Sequence, residues 1–168
     1  MIAVAGRTDL TAQTLKLLQD ELVGRVKRLA PPGAIVVVRA GRGLPLAAGR
    51  TARKAGVPVV AVMPAQESVP APLPQQDRAA AGELLFLATH VRLLTYAPAD
   101  RAACLVADER LIASCATLLA VWDGSPAGDL DPTAHLVAYA RSRGVSTDVL
   151  WAPKYTRRST IPAPGKSS

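Results

Sequence analysis

Aromatic residues make up only 4% of this 168-residue chain, and there are just two cysteines and two histidines. Each shortage excludes something. Cys104 and Cys115 stand eleven residues apart, too far for a CxxC redox or zinc pair, and no histidine supports them, so both read as small buried hydrophobes. His90 and His135 lack partners at metal or triad spacing, which leaves them helix-end and helix-surface roles. The longest apolar runs, residues 34–38 and 117–122, fall far short of the ~20 residues of a membrane-crossing helix, so no membrane partner is expected. The opening Met-Ile-Ala-Val-Ala-Gly-Arg has neither the basic region nor the long apolar stretch of a signal peptide, and a cytoplasmic location is the expectation.

What is present is 49% hydrophobic and 20% charged sequence, the profile of one globular domain. At this length roughly 70% of the unfolded surface can be buried, so neither a disulfide nor a metal is needed as a staple, and no cofactor is required for folding. The net charge of +7 invites a nucleic-acid reading. Its location weakens that reading. Lys154, Arg157, Arg158 and Lys166 lie in a Pro- and Ser-containing stretch over residues 154–168 that reads as a flexible basic tail. The body, residues 1–153, keeps 16 basic residues against 13 acidic ones.

Short β-branched runs alternate with longer 3.6-period stretches, the signature of βαβ units and a mostly parallel sheet. Strands are expected over residues 2–5, 34–38, 57–62, 91–95, 117–122 and 148–151. Helices are expected after Thr8 or Asp9 as N-cap, around 46–55, after Asp77, within 99–115, and from Asp131-Pro132 through Arg143. Residues 64–76, with Pro64, Pro70, Pro72 and Pro74, read as a long stiffened surface loop. The fold class is therefore α/β, a Rossmann-like three-layer α/β/α sandwich around a doubly wound sheet. The first strand should be central, with the second and third on one side and residues 117–122 on the other, which brings Arg7 and Asp123 to one crevice.

In such a sheet the ligand crevice lies beyond the carboxyl ends of the strands. The residues there are Gly6-Arg7, Gly41-Arg42-Gly43, Asp123-Gly124 and Thr133. Glycines let a ligand approach the backbone, arginines supply bidentate donors for phosphate, and the following helices offer free N–H groups. The inventory fits a nucleotide-like anion, and it equally fits ordinary tight turns of a basic protein. Arg39 could join Arg7 and Arg42 or support its own turn. Asp123 could meet a ribose hydroxyl, orient Arg7, or form an Asx turn with Gly124. Trp122 reads as a strand-end packing residue beside the crevice, with stacking as its alternative. Arg50, Arg53 and Lys54 form a basic helix row.

The pattern resembles the SLOG group of Rossmann-like proteins, which includes the DNA-processing protein DprA and the LOG phosphoribohydrolases. The resemblance is carried by Ile2-Ala-Val-Ala-Gly-Arg-Thr-Asp-Leu-Thr11, by Ala40-Gly-Arg-Gly43 with Gly56-Val-Pro-Val-Val-Ala-Val-Met-Pro64, and above all by Leu119-Ala-Val-Trp-Asp-Gly-Ser-Pro-Ala127 with the helix opening at Thr133. This last stretch is similar to a subgroup common in actinobacteria. The resemblance implies a nucleotide or nucleotide-derived ligand between the first turn and the loop after Trp122. Two departures stand out. Asp131-Pro132-Thr133 replaces the usual Gly-Gly-Thr, and proline has no N–H for a phosphate while a carboxylate occupies the place an anion would take. Gly43 is followed by Leu44-Pro45 rather than an acid, and no PGGxGTxxE sequence supplies a general acid or base for glycosidic hydrolysis. Two functions follow: a small-molecule binder, or a non-catalytic module that contacts nucleic acid or protein through its basic residues. A homo-oligomer is compatible with either.

Overall fold

The computed structural model describes residues 1–7, 9–128 and 131–151, so the basic tail and the Thr8 cap lie outside the described residues. Seven strands and five helices alternate as β1(Ile2–Gly6), α1(Ala12–Leu29), β2(Val36–Arg39), α2(Leu44–Lys54), β3(Val59–Gln66), β4(Val69–Pro70), α3(Gln75–Leu87), β5(His90–Thr95), α4(Arg101–Ala113), β6(Thr117–Val121), α5(Thr133–Ser142) and β7(Ser146–Leu150). β2 and β5 both register with Val60, Ala61 and Val62 of β3, so they take opposite edges of that strand. The parallel sheet thus runs β5-β3-β2-β1-β6-β7, and its order reverses between β1 and β6. This is the expected doubly wound arrangement, with β1 central.

Strands with a helix layer on each side must be apolar on both faces, which is why β2 reads Val-Val-Val and β6 reads Leu-Leu-Ala-Val. Ile2, Val36, Val38, Val59, Ala61, Leu119 and Val121 face α1–α3 and pack with Leu18, Leu22, Val26, Ala52 and Leu84. Ala3, Val37, Val62, Leu118 and Ala120 face α4 and α5 and pack with Leu111, Ile112, Leu136, Val137 and Ala140. Among the described residues no helix is long and apolar enough to cross a membrane.

Three expectations need correction. The cap of α1 is Thr11, whose hydroxyl accepts the Thr14 N–H, because Asp9 is drawn away to pair with Arg7. The proline-rich stretch is not a free loop. β3 continues through Pro64 to Gln66 and turns back through Glu67 into β4, where Ala65 pairs with Pro70. Pro64 lies past the last β2–β3 register pair, Arg39 with Val62, and its carbonyl accepts from Ala71. Asp77 does not cap α3. That helix begins after Pro74, and the Asp77 carboxylate accepts the Arg42 N–H at 3.2 Å. Of the two cysteines, Cys115 is buried and Cys104 only partly so.

Gly6 holds the carboxyl end of β1 against its neighbours. A Cβ there would lie 2.8 Å from both Val121 Cβ and Val121 O and 2.5 Å from Leu44 Cδ2, and the β6 backbone cannot give way. Gly24, inside α1, would have nothing within 4 Å of an added methyl. Urea unfolding should show Gly6→Ala losing about 2 kcal/mol to overpacking and Gly24→Ala gaining about 0.5–1 kcal/mol of helix propensity.

Candidate functional site

Beyond β1 the chain places an arginine where the sheet order reverses. The Arg7 backbone N–H still bonds Val121 O at 3.0 Å, which directs its side chain into the space between the turns after β1 and β6. Arg7 is 9% exposed, and an ion buried to that degree must be paired. Three segments supply the partners. Asp9 accepts from Nε at 3.2 Å and from Nη2 at 3.1 Å. Asp131 Oδ2 lies 2.6 Å from Nε, in ion-pair contact, and among the described residues this oxygen has no hydrogen bond of its own. Asp123 Oδ1 lies 3.6 Å from Nη1, and the Ser125 hydroxyl accepts from the same nitrogen.

The acids are fixed in turn by their own backbone. Asp123 Oδ1 accepts the Ser125 N–H at 3.0 Å and the Ser125 O–H at 2.6 Å, an Asx turn that reverses the chain through Gly124 at φ +83°. Trp122, partly buried, donates its Nε1–H to Ser125 O at 2.9 Å and closes the same turn. Asp131 Oδ1 accepts both the Thr133 N–H, at 3.0 Å, and the Thr133 O–H, while its backbone pairs with Gly128. Asp131 is 8% exposed and Thr133 1%. Burial pulls the Arg7 guanidinium toward deprotonation, but the Asp9 hydrogen bond and the fields of Asp131, Asp9 and Asp123 outweigh it and hold its pKa above the ordinary value.

Among the described residues, one guanidinium faces three carboxylates here. The cluster therefore offers hydrogen-bond acceptors, and the position at the start of α5 that suits an anion holds the Asp131 carboxylate instead. Among the described residues no group of three or more His, Cys, Asp or Glu is set to hold a metal ion. The sequence-predicted residues thus separate. Gly6, Arg7, Asp123, Gly124 and Thr133 meet around one cluster. Gly41, Arg42 and Gly43 form the neighbouring turn after β2, with Arg42 exposed and Gly43 at φ +79° before α2. Asp9 and Ser125 carry contacts that the anion-based reading does not assign to the site, while Asp131 reads in the sequence only as the carboxylate at the helix start; the legible signal was an Asx pattern at both turns, Asp123-Gly-Ser and Asp131-Pro-Thr.

Arg39 turns to the other face of the sheet. Its Nε and Nη2 donate to Asp108 of α4 at 2.6 and 3.1 Å, and its guanidinium lies 5.9 Å from the Tyr96 ring centre. Tyr96 is buried, and among the described residues its hydroxyl lacks a well-formed hydrogen bond. Burial pushes its pKa up to about 12 despite the opposing field of Arg39. His135 Nε2 lies 2.6 Å from Glu109, bridging α5 and α4.

Two outcomes follow. Arg7→Met removes the cation that Asp9, Asp123 and Asp131 face and should lower the unfolding free energy by about 3 kcal/mol in urea titration. Tyr96 has a folded pKa above its unfolded value of about 10, so it keeps its proton longer in the native state. Stability should fall by about 1 kcal/mol per unit as pH rises from about 10 toward 12, and Tyr96→Phe should remove that part of the slope.

No family model matches the chain, and no curated protein matches it. Solved structures do. The molybdenum cofactor (Moco) carrier protein from Chlamydomonas reinhardtii superimposes with a TM-score of 0.52 at 20% identity, over 89% of this chain and 74% of the carrier. A second structure of that carrier gives 0.50 at 22% identity, over 88% and 74%. DNA processing protein A (DprA) from Streptococcus pneumoniae gives 0.58 at 18% identity, over 91% of this chain but 50% of DprA, so the chain spans half of that protein's length. What these likenesses establish is the architecture: the chain has the Rossmann-like α/β fold found in DprA and in the molybdenum cofactor carrier.

Proposed function

We propose that the chain binds a nucleotide-like, phosphate-containing small molecule in the crevice between the ends of β1 and β6, acting as a cytoplasmic sensor. The observation that carries this reading is the meeting of Arg7, Asp9, Asp123, Ser125 and Asp131, from three separate segments, at the point where the sheet order reverses. Ligands of open α/β sheets sit at that point, and a buried charge network there is out of proportion to what three surface turns need. The charge balance sorts the ligand's parts. Acceptor oxygens of Asp9 and Asp123 suit ribose hydroxyls, and Asp9, with a side chain 32% exposed, is the accessible one. The phosphate then belongs on the side of Gly41–Gly43, where the Arg42 side chain is exposed and would meet it beside the Asp77 carboxylate that holds the Arg42 N–H. Kinship with the SLOG group, including the actinobacterial subgroup suggested by Leu119–Ala127, supports the reading, as do fold neighbours that carry a cofactor or process DNA.

A second reading, a non-catalytic module whose pocket is closed by its own residues, is favoured by Asp131: with Arg7, the Thr133 N–H and the Thr133 O–H around it, this carboxylate fills an anion position from within. Its macromolecular contacts would use fewer cations than the sequence suggests, since Arg39 and Arg50 are spent on Asp108 and Glu83.

Thermal unfolding with mono- and dinucleotides at two salt concentrations separates the two. Binding to the folded state raises Tm by mass action. A salt-tolerant rise with one nucleotide, weakened at least tenfold (about 1.4 kcal/mol) in Arg42→Ala and in Asp9→Asn, is the expected result. Absence of any rise, or binding that falls steeply with salt and ignores nucleotide identity, would select the second reading.

A further inference from the structure

Charge is sorted between the two ends of the sheet. Each helix returns antiparallel to the parallel strands, so the last helical turns and the connections after them gather at the amino end, opposite the crevice. Asp9, Glu67, Asp77, Asp100, Asp123 and Asp131 stand at the carboxyl end. The stretches that make up the amino end, residues 26–35, 51–58, 84–90, 111–117 and 139–146, contain no aspartate or glutamate. They hold Lys27, Arg28, Arg53, Lys54, Arg141 and Arg143, all exposed. Helix dipoles favour a cation in a last turn, but they give no reason for five connections without one acid. Arg28 is paired with Asp148. Among the described residues Lys27, Arg53, Lys54 and Arg141 have no ion pair, so this end presents positive charge to solvent.

A groove of about 740 Å³ opens at the same end, between the connections that follow α1 and α2. Pro31, Pro32, Ile35, Val57 and Pro58 line it, with Thr89 and His90 where β5 begins, and Lys27 is its one lysine among no arginine, aspartate or glutamate. Arg53 and Lys54 directly precede Ala55 of the groove wall. The nearby main chain is largely spent inside the fold: Ala34 N–H donates to Pro31 O, Val36 N–H to Pro58 O, and Ile35 O accepts from Ile2. The groove therefore offers aliphatic contact rather than a strand edge. No phenylalanine, tyrosine or tryptophan lines it, so a nucleic-acid base would find no ring to stack on.

We propose that the amino end of the sheet docks an acidic segment of a partner protein, with an aliphatic side chain of that segment in the groove and its carboxylates on Lys27, Arg53 and Lys54. The charge selects the partner: an end with cations and no acids attracts carboxylates and repels basic segments. The span selects a chain over a small molecule, because α1 and α2 bring their cations to one face of the sheet and α5 brings Arg141 and Arg143 to the other. An apolar anchor within a polar rim is the usual plan of such an interface. This surface lies at the opposite end of the strands from Arg7 and stands whichever reading of the crevice holds.

The probe is a fluorescent peptide of glutamates around a central leucine pair, titrated into the full chain and followed by anisotropy and by amide chemical shifts. Ile35, Val57 and His90 amides should move. Lys27→Glu with Lys54→Glu alters two exposed side chains without an ion pair among the described residues, so circular dichroism should stay unchanged while Kd rises at least tenfold. Binding should weaken with added salt, weaken when serine replaces the leucines, and be unaffected by Arg42→Ala in the turn after β2. A peptide that does not bind, that binds the double variant equally well, or that binds as tightly with lysine in place of glutamate would overturn the proposal. So would these cations taking a DNA duplex or phosphatidylserine vesicles in preference to the peptide. None of these readouts depends on nucleotide binding.

Discussion

A guanidinium that cannot reach bulk water organises one whole end of this molecule. Arg7 follows the central strand, and burying it without carboxylates would be prohibitive, so the turn after β1, the Asx turn after β6 and the segment leading into α5 are all drawn to it. Asp9 is taken from the start of α1, which then begins at Thr11; Asp123 is locked by Ser125; Asp131 is locked by Thr133. The crevice at the switch point is therefore a prearranged network rather than a gap between loops. That rigidity is what a selective small-molecule site needs, and it also fixes the sign of the field any ligand would meet.

Much of the architecture was legible because it rests on periodicity. The apolar runs of β2 and β6 can only be central strands of a covered sheet, and the βα alternation with right-handed crossovers leaves few strand orders. What was not legible was decided by contacts far away in sequence. Nothing near Asp9 announces that Arg7 will claim it. Pro64 looks like a strand breaker until one knows that β2 stops short of it. Asp77 is a good helix cap by local chemistry, yet its carboxylate is used by the backbone of Arg42, 35 residues away.

Which turns would line the switch point was legible, and the charge they carry was not. Glycine and arginine at strand ends suggested a phosphate grip, and the turn at Gly41–Gly43 keeps Arg42 exposed while its N–H is taken by Asp77. Around Arg7 the sequence showed two Asx patterns whose meaning depends on where the side chains converge. Arg39, one residue past the β2 valines, illustrates the difficulty: strand alternation sends it to the α4 face, where Asp108 and Tyr96 receive it, away from Arg7.

The pairing of β1 with β6 also bears on how the chain is made. Ile2 lies beside Thr117 and Gly6 beside Val121, so β1 leaves the ribosome without one of its two neighbours until more than a hundred further residues have been added. At ordinary elongation rates that wait is on the order of ten seconds. During it β1 can pair only with β2, and its other edge stays open to whatever binds nascent strands. The centre of the sheet is closed only once β6 has been made, so its completion waits on more than a hundred residues of synthesis after β1.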